Sequence, residues 1–582
     1  MRRREWLGGV LSLVLLPAQA QESDVVLRAM TEELERSRAL RIVDLDPPYY
    51  IEYSIDDAEN VSISATLGGK VDERRDRFRL PRVRVRVGDY KFDNTNYIFS
   101  DASRGSRFDG QQMPVEDDLF ALRHHLWLTT DRAFKSAVEI LARKRSALRN
   151  VASTEELNDF AKAEPTRMIL PVDRSSVDVS AWRKRIVELS GIFRAYPDVL
   201  LSSADFDSVD SIFYFANSEG SMIRIPDGVA YVRVRATGLA PDGMTVRDAA
   251  AFHARRAAGL PSELDLRRGT IEVAENVRLL ARAPVGESYT GPVLFEARAA
   301  AQLFAQVLGG NLALRRRPVF DPGRTFQFPQ SELEGRDGSK ILPEWIDVVD
   351  DPTQTEWRGT PLFGHYPVDI EAVIPQPLTL VEKGELKNYL LTRQPVRGYE
   401  GSNGRARLPG SFGANAAGFG NLFIRASETV PFDQLKRQLI ELCDRRNKPY
   451  GLLIRKLDFP TTASIDELRS LAAATRGATP ISPPLLAYRI YPDGREELVR
   501  GLRFRGLNVR TLRDILAASD EPYVFDFLNN AAPLAMSGAG GYVTNNSVIA
   551  PAVLIDDVEL EKVQDELPKL PVVPPPPLSA SQ

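Results

Sequence analysis

Apolar and polar residues follow two rhythms along the chain, and the balance between them shifts near residue 285. In residues 22–40, Val26, Met30 and Leu34 stand four apart with charges between them, the spacing of one helix face. Period-two runs follow at 51–55 (IEYSI), 61–65 (VSISA) and 83–87 (VRVRV), predicting half-buried strands. Arg82, Arg84 and Arg86 share the polar face of that last run and are expected to look into water. A helix is predicted to open at Thr129 or Thr130, carry Phe134, Val138 and Leu141 on one side, and end on Arg143-Lys144-Arg145. A second is predicted from Ala181 to Phe193 with Trp182, Ile186 and Leu189 inward, and a third over Val246–Ala258. Strands are predicted near 211–216, 222–225 and 231–237, punctuated by Asn217, Gly220, Asp227-Gly228 and Asp242-Gly243.

Beyond Val285 glycine and proline become frequent and the apolar runs shorten. Two helical patterns stand out there. Glu296–Leu308 can bury Ala299, Leu303, Val307 and Leu308 and stop at Gly309-Gly310. Phe432–Arg446 turns Leu435, Leu439 and Leu442 inward, with Cys443 beside that stripe as a small core residue. The expected fold is α+β: an α/β N-terminal region over 21–284, divisible into two subdomains near the helical segment at 110–200, then a β-rich, barrel-like antiparallel domain over 285–562. Residues 563–582 form a proline-rich tail, expected to be extended and disordered.

Composition and the N-terminus change the picture in a few respects. Arg2-Arg3-Arg4, the apolar run from Trp6 to Leu16, Pro17 and then Ala18-Gln19-Ala20 have the layout of a signal peptide cleaved after Ala20. The expected location is therefore the periplasm or the exterior. That run is shorter than the roughly 20 residues needed to span a bilayer, and no other stretch is long and apolar enough, so stable membrane insertion is not expected. A net charge of −4 with interspersed signs lacks the concentrated basic face of a nucleic-acid binder. The single cysteine, Cys443, cannot form an internal disulfide, so the fold must rely on its core.

Candidate chemistry is sparse. His124-His125 are predicted just ahead of a helix, where adjacent side chains diverge; His253 falls on the predicted helix at 246–258, and His365 lies in a loop-rich segment. No HExxH, CxxC, HxH, GxSxG, GxGxxG or GxxxxGK[ST] occurs. Asp347, Asp350 and Asp351 cluster in DVVDDP. Such a cluster can bind a divalent cation, though Asp-Asp-Pro reads first as a turn with solvated carboxylates; a relocated metal site would draw on Asp350, Asp351, Glu344 and His365.

The run Tyr289–Glu296 followed by Ala299-Ala300-Ala301 resembles the strand and helix start that precede the metal motif of TldD/PmbA (modulator of DNA gyrase) proteins. Val348–Thr353, Arg358-Gly359-Thr360, Val381–Leu390 and the glycine-rich 401–407 (GSNGRAR) resemble later parts of that domain in the same order; upstream the likeness is looser, with Asn217–Gly220 its best match. The resemblance implies a metallopeptidase scaffold in which HExxxH on a helix and a later cysteine hold zinc, the glutamate acting as general base. In this chain the matching stretch is Ala305-Gln306-Val307-Leu308-Gly309-Gly310, so Ala305, Gln306 and Gly310 replace the family histidine, glutamate and histidine, and no cysteine stands near 541–546. Alanine and glycine offer no lone pair, and a glutamine amide takes no proton from water at neutral pH. The expectation is a peptide-binding subunit without its own zinc or other cofactor, paired with a zinc-bearing relative or with itself and accepting unfolded peptides. Asn403, Gly404 and Arg405 are its candidate substrate contacts. The alternatives are a hydrolase with a relocated metal site and a non-enzymatic envelope scaffold.

Overall fold

The computed structural model describes residues 24–41, 46–98, 113–149, 157–174, 176–320, 330–409, 415–459, 481–529 and 543–563. The expected signal segment and nearly all of the proline-rich tail lie outside these residues.

The N-terminal half is built on long strands. Helix α1 (Val25–Arg38) precedes β1 (Pro48–Thr66) and β2 (Gly69–Val87), then come β3 (Tyr97–Ile98), α2 (Leu119–Leu148), β4 (Arg167–Ile169) and α3 (Val179–Gly191). Strands β5 (Val199–Asn217), β6 (Met222–Leu239) and β7 (Thr245–Ala254) and helix α4 (Glu263–Arg282) complete it. Among the described residues the sheet order is β2-β1-β5-β6-β4, with β7 also on β6, and every pairing except β4–β6 is antiparallel. Odd-numbered positions of β1 all face the helices: Ile51, Tyr53 and Ile55 pack with α1 and α2, while Val61, Ile63 and Ala65 pack with α3 and α4. The helices are capped locally. Asp24, Asp118, Asp178 and Ser262 each accept a hydrogen bond from the backbone N–H three residues on.

Several sequence expectations change here. The runs at 51–55 and 61–65 belong to one strand, because the acidic stretch between them is paired and not turned: Asp57 is buried against Arg79 at 3.0 Å. Helix α2 begins at Asp118, not at Thr129 or Thr130, whose hydroxyls instead donate back to the carbonyls of His125 and Leu126. His124 and His125 are thus inside a helix. The expected helix at 246–258 is strand β7, laddered along β6 from Leu239 to Ala230, and His253 sits on that strand. The arginine face of β2 is not wet. Arg82 bonds Ser54 and Asp56, Arg84 bonds Glu52 and Asn415, and Arg86 bonds Asp93 and Thr95 beneath the C-terminal half.

The C-terminal half runs β8 (Tyr289–Phe295), α5 (Ala297–Val307), β9 (Val319–Phe320), β10 (Ile346–Asp350), β11 (Glu356–Trp357), β12 (Thr360–Pro361), β13 (Leu378–Glu382) and β14 (Glu385–Leu386). It continues through β15 (Ala406–Pro409), β16 (Asn415–Ala417), β17 (Asn421–Ala426), α6 (Phe432–Arg445), β18 (Gly451–Leu457), β19 (Pro484–Ile490) and β20 (Glu496–Val499). The last strands are β21 (Leu502–Arg505), β22 (Ile515–Ala518), β23 (Tyr523–Asn529), β24 (Thr544–Ala550) and β25 (Val553–Lys562). One sheet has the order β20-β19-β18-β8-β25-β21 with β22 on β25; the other is β14-β13-β10-β17-β24-β23. Most pairings are antiparallel, the exceptions in these two sheets being β8–β18 and β17–β24.

Alternation along β8 explains the layering. Val293 and Phe295 point into the core that holds α5, while Leu294 points the other way onto Leu435, Leu439 and Cys443 of α6. Buried on both faces, β8 reads as a continuous apolar run. Cys443 is the core residue expected of it. The fold is therefore α+β, dominated by antiparallel sheets.

Candidate functional site

Helix α5 occupies the center of the C-terminal core, in contact with both sheets. Its alanines allow close packing, and its two glutamines tie it down. Gln302 accepts from the backbone N–H of Leu457 at 2.8 Å. Gln306 accepts from the N–H of Ser482 at 2.8 Å and from its hydroxyl at 3.0 Å, while its own amide donates to the Gln302 carbonyl. Ala305 is buried, and Gly310 faces open space with nothing within 4 Å of where a Cβ would stand. Gly309 is enclosed: a Cβ there would come within 2.5 Å of the Phe419 ring.

Strand β24 passes beside α5. Its Asn546 amide donates to the Phe419 carbonyl at 2.5 Å and accepts from Thr544. Ser547 is a junction: its oxygen accepts from the N–H groups of Phe363 and Gly364 and donates to Asp526 at 2.6 Å. Burial pushes the Asp526 carboxyl up to about 6. Across the domain junction, His253 is hydrogen-bonded to the main chain of Asp526; burial, with Arg233 nearby, holds its imidazole down to about 4. Its Nδ1 is sealed from solvent and has no partner.

The aspartate-rich turn serves the fold. Asp350 is fully buried; it accepts from Arg405 Nε at 3.0 Å and from the Gly420 N–H at 2.8 Å, and burial raises its pKa. Asp351 holds the turn by accepting from Thr353 and Gln354. Glu344 is exposed beside Lys340, and His365 Nδ1 lies 2.9 Å from the Pro352 carbonyl. These four residues do not converge on one point. Among the described residues no three histidine, cysteine, aspartate or glutamate side chains group as metal ligands.

The glycine-rich loop is likewise engaged internally. Asn403 accepts from the Leu391 N–H and donates to the Tyr389 carbonyl. Gly404 has φ +78°, and a Cβ there would lie 2.8 Å from Pro375 Cα. Arg405 spends Nε and Nη2 on Asp350, Nη2 again on the Gln376 carbonyl, and Nη1 on the Asn403 carbonyl. Arg407, two residues on, differs. Its guanidinium stacks 3.8 Å over Tyr366 and makes one long hydrogen bond, 3.4 Å, to the Asn545 carbonyl. At the far side of the domain junction the 217–220 segment forms a turn closed by Asn217, and Glu219 accepts from Tyr90 and Arg393.

Sequence reasoning placed Ala305, Gln306 and Gly310 together because they lie on one helix turn. It set His253 on a helix and did not single out Asp526 or Ser547, which come from two other distant segments. The available signal was Asp526, a lone acid within the apolar run YVFDFL.

Residues 288–458 match the family profile of the PmbA/TldA metallopeptidase C-terminal domain. A metalloprotease from Archaeoglobus fulgidus is 36% identical over 78 residues, which is 13% of this chain and only 17% of that relative. In fold, the chain is similar to a solved protein from Thermotoga maritima described as a modulator of a DNA gyrase, at TM-score 0.55 and 12% identity, covering 88% of this chain and 96% of that one. It is similar also to TldE from Thermococcus kodakarensis, at TM-score 0.54 and 14% identity, covering 92% of this chain and 100% of that one. The domain built around α5, over residues 288–458, thus belongs to the PmbA/TldD metallopeptidase C-terminal domain family.

Proposed function

We propose that this protein is an exported, peptide-binding member of the family that does not hydrolyse peptides by itself. The observation that carries this reading is the donor set on α5. Ala305 and Gly310 have no metal-binding atom, and Gln306 directs its carbonyl oxygen to Ser482 and its amide to Gln302. Zinc does not fit these residues: tetrahedral sites draw on Cys, His, Asp or Glu, and none stands at these positions. No hydrolytic step through a metal is derived for this chain. The alternative relocated site would require Asp350, which is locked to Arg405.

Proteolysis by a complex then requires a zinc-bearing relative as partner, or the protein acts as a homodimer that holds peptides. The test is metal analysis and casein digestion on protein purified from its native host, alone and with a candidate relative. Far less than one zinc per chain and no cleavage alone is the expected result. Stoichiometric zinc with chelator-sensitive hydrolysis by the isolated chain would refute the reading. Intact mass should begin at Gln21, in keeping with export; retention of Arg2–Arg4 would overturn that part. Light scattering should give a dimer, and a monomer under both conditions would favor the scaffold alternative.

A further inference from the structure

We infer that Arg407, whose stem packs on Gly418 beside Phe419, is the receptor for an anionic group, a peptide carboxylate. The inference rests on the peptide-binding reading and adds the chemistry by which the peptide is held.

The contrast with Arg405 is the starting point. Both arginines project from the same strand region, yet Arg405 is satisfied by a buried aspartate and three carbonyls, whereas Arg407 forms no ion pair. A guanidinium carries five donors. Among the described residues Arg407 uses one of them, at 3.4 Å, and its Nε is buried without a partner. Leaving a buried charged donor unmet is costly, so a native structure that does so calls for an explanation.

The surrounding charges do not neutralise it. Asp350 is bound to Arg405, and Asp227 is bound to Arg255 at 3.1 Å. Arg255 itself donates to the His365 carbonyl and brings a second cation to the same side. Burial lowers the Arg407 pKa, and Arg255 adds to this, while Tyr366, Asp227 and Asp350 favor the charged form without offsetting the burial. Among the described residues the locality carries one positive charge in excess.

Position gives this charge a use. Gly418 places the Arg407 stem against the residue before Phe419; a Cβ at Gly418 would stand 3.4 Å from Arg407 Cβ. Phe419 in turn covers Gly309, next to the open space at Gly310. The Asn545 carbonyl that Arg407 touches precedes Asn546, which bonds Phe419. The stem of Arg407 is thus linked through Gly418 and Phe419 to the end of the core helix. Its guanidinium lies over Tyr366 with Nε buried, so the terminal Nη groups are the ones that can meet a carboxylate.

The test measures binding of a short, labelled, unstructured peptide with a free C-terminal carboxylate by fluorescence anisotropy, alongside the same peptide amidated. The wild-type comparison depends on no variant. The expected result is at least about tenfold tighter binding of the free acid, the size of one charge-assisted hydrogen bond. Arg407→Met should erase that difference and Arg407→Lys restore part of it. Equal binding of acid and amide by the wild type, unchanged in Arg407→Met, would overturn the inference while leaving peptide binding intact. If neither peptide binds, inorganic phosphate is the probe. A rise in Tm for the wild type but not for Arg407→Met keeps the anion receptor, with a free anion as its ligand, and removes the peptide reading. No rise in either removes both.

Discussion

Replacing Asp526 with asparagine should give the protein an acid sensitivity that the wild type lacks. His253 is hydrogen-bonded to the main chain of Asp526, and burial shifts the two side chains in opposite directions. The carboxyl, raised from 3.8 to about 6, binds its proton more tightly folded than unfolded. Its contribution to stability is full below the unfolded value and is lost as pH rises through about 6. The imidazole, lowered from 6.5 to about 4, is bound more tightly by protons in the unfolded chain. Its contribution is full above 6.5 and is lost as pH falls through about 4. Each shift is about two units, worth about 2–3 kcal/mol for partly buried groups. Between pH 4 and 6.5 the two slopes nearly cancel. Asp526→Asn removes one of them, and asparagine can still accept from Ser547. Denaturant midpoints across that range should show the variant gaining about 2 kcal/mol relative to the wild type as pH rises. His253→Gln should show the reverse trend. Parallel pH profiles for wild type and Asp526→Asn would refute the argument, since groups common to both cancel in the comparison.

The fold makes two further predictions. Arg405→Met leaves Asp350 buried with only the Gly420 N–H and strands three carbonyls, so it should cost about 3–5 kcal/mol in chemical denaturation; a loss under about 1 kcal/mol would mean that Arg405 is no clamp. Gly404→Ala forces a left-handed φ on alanine and drives its Cβ toward Pro375, so a loss of about 2 kcal/mol is expected, and an unchanged midpoint would contradict the described loop.

Much of the architecture was legible where a signal is local. The helix predicted over Glu296–Leu308 is Ala297–Val307, and that over Phe432–Arg446 is Phe432–Arg445, because each carries its apolar stripe and stop signal within its own length. Legibility failed where a distant partner decides. The segment at 246–258 has six alanines, which favor helix, yet backbone pairing to β6 makes 245–254 a strand. Helix α4 was not foreseen, although Ser262 caps it and Leu266, Val273, Val277 and Leu280 line its buried side. Gly269 obscures that pattern. The glycine is needed because the Phe252 ring lies where its Cβ would be, a contact with β7 that no local pattern announces. The same reason hid the pairing of Arg84 with Asn415, two residues far apart in the chain.

The surroundings of α5 bear on how such a helix persists with no metal-binding side chain at these positions. A metal site can contribute to folding only through its ligands. Here the corresponding work falls to other groups: Gln302 and Gln306 fasten the helix to Leu457 and Ser482, Asn311 closes its end on the Val307 carbonyl, and Phe419 fills the space over Gly309. None of these contacts reaches Gly310, whose outer side stays open. If the helix served packing alone, a side chain at Gly310 would be free to fill that space and Arg407 would gain from an acidic neighbor. The open glycine and the unmet arginine are both costs to the isolated chain. Their coincidence at one end of the helix is what a binding surface requires and a plain scaffold does not.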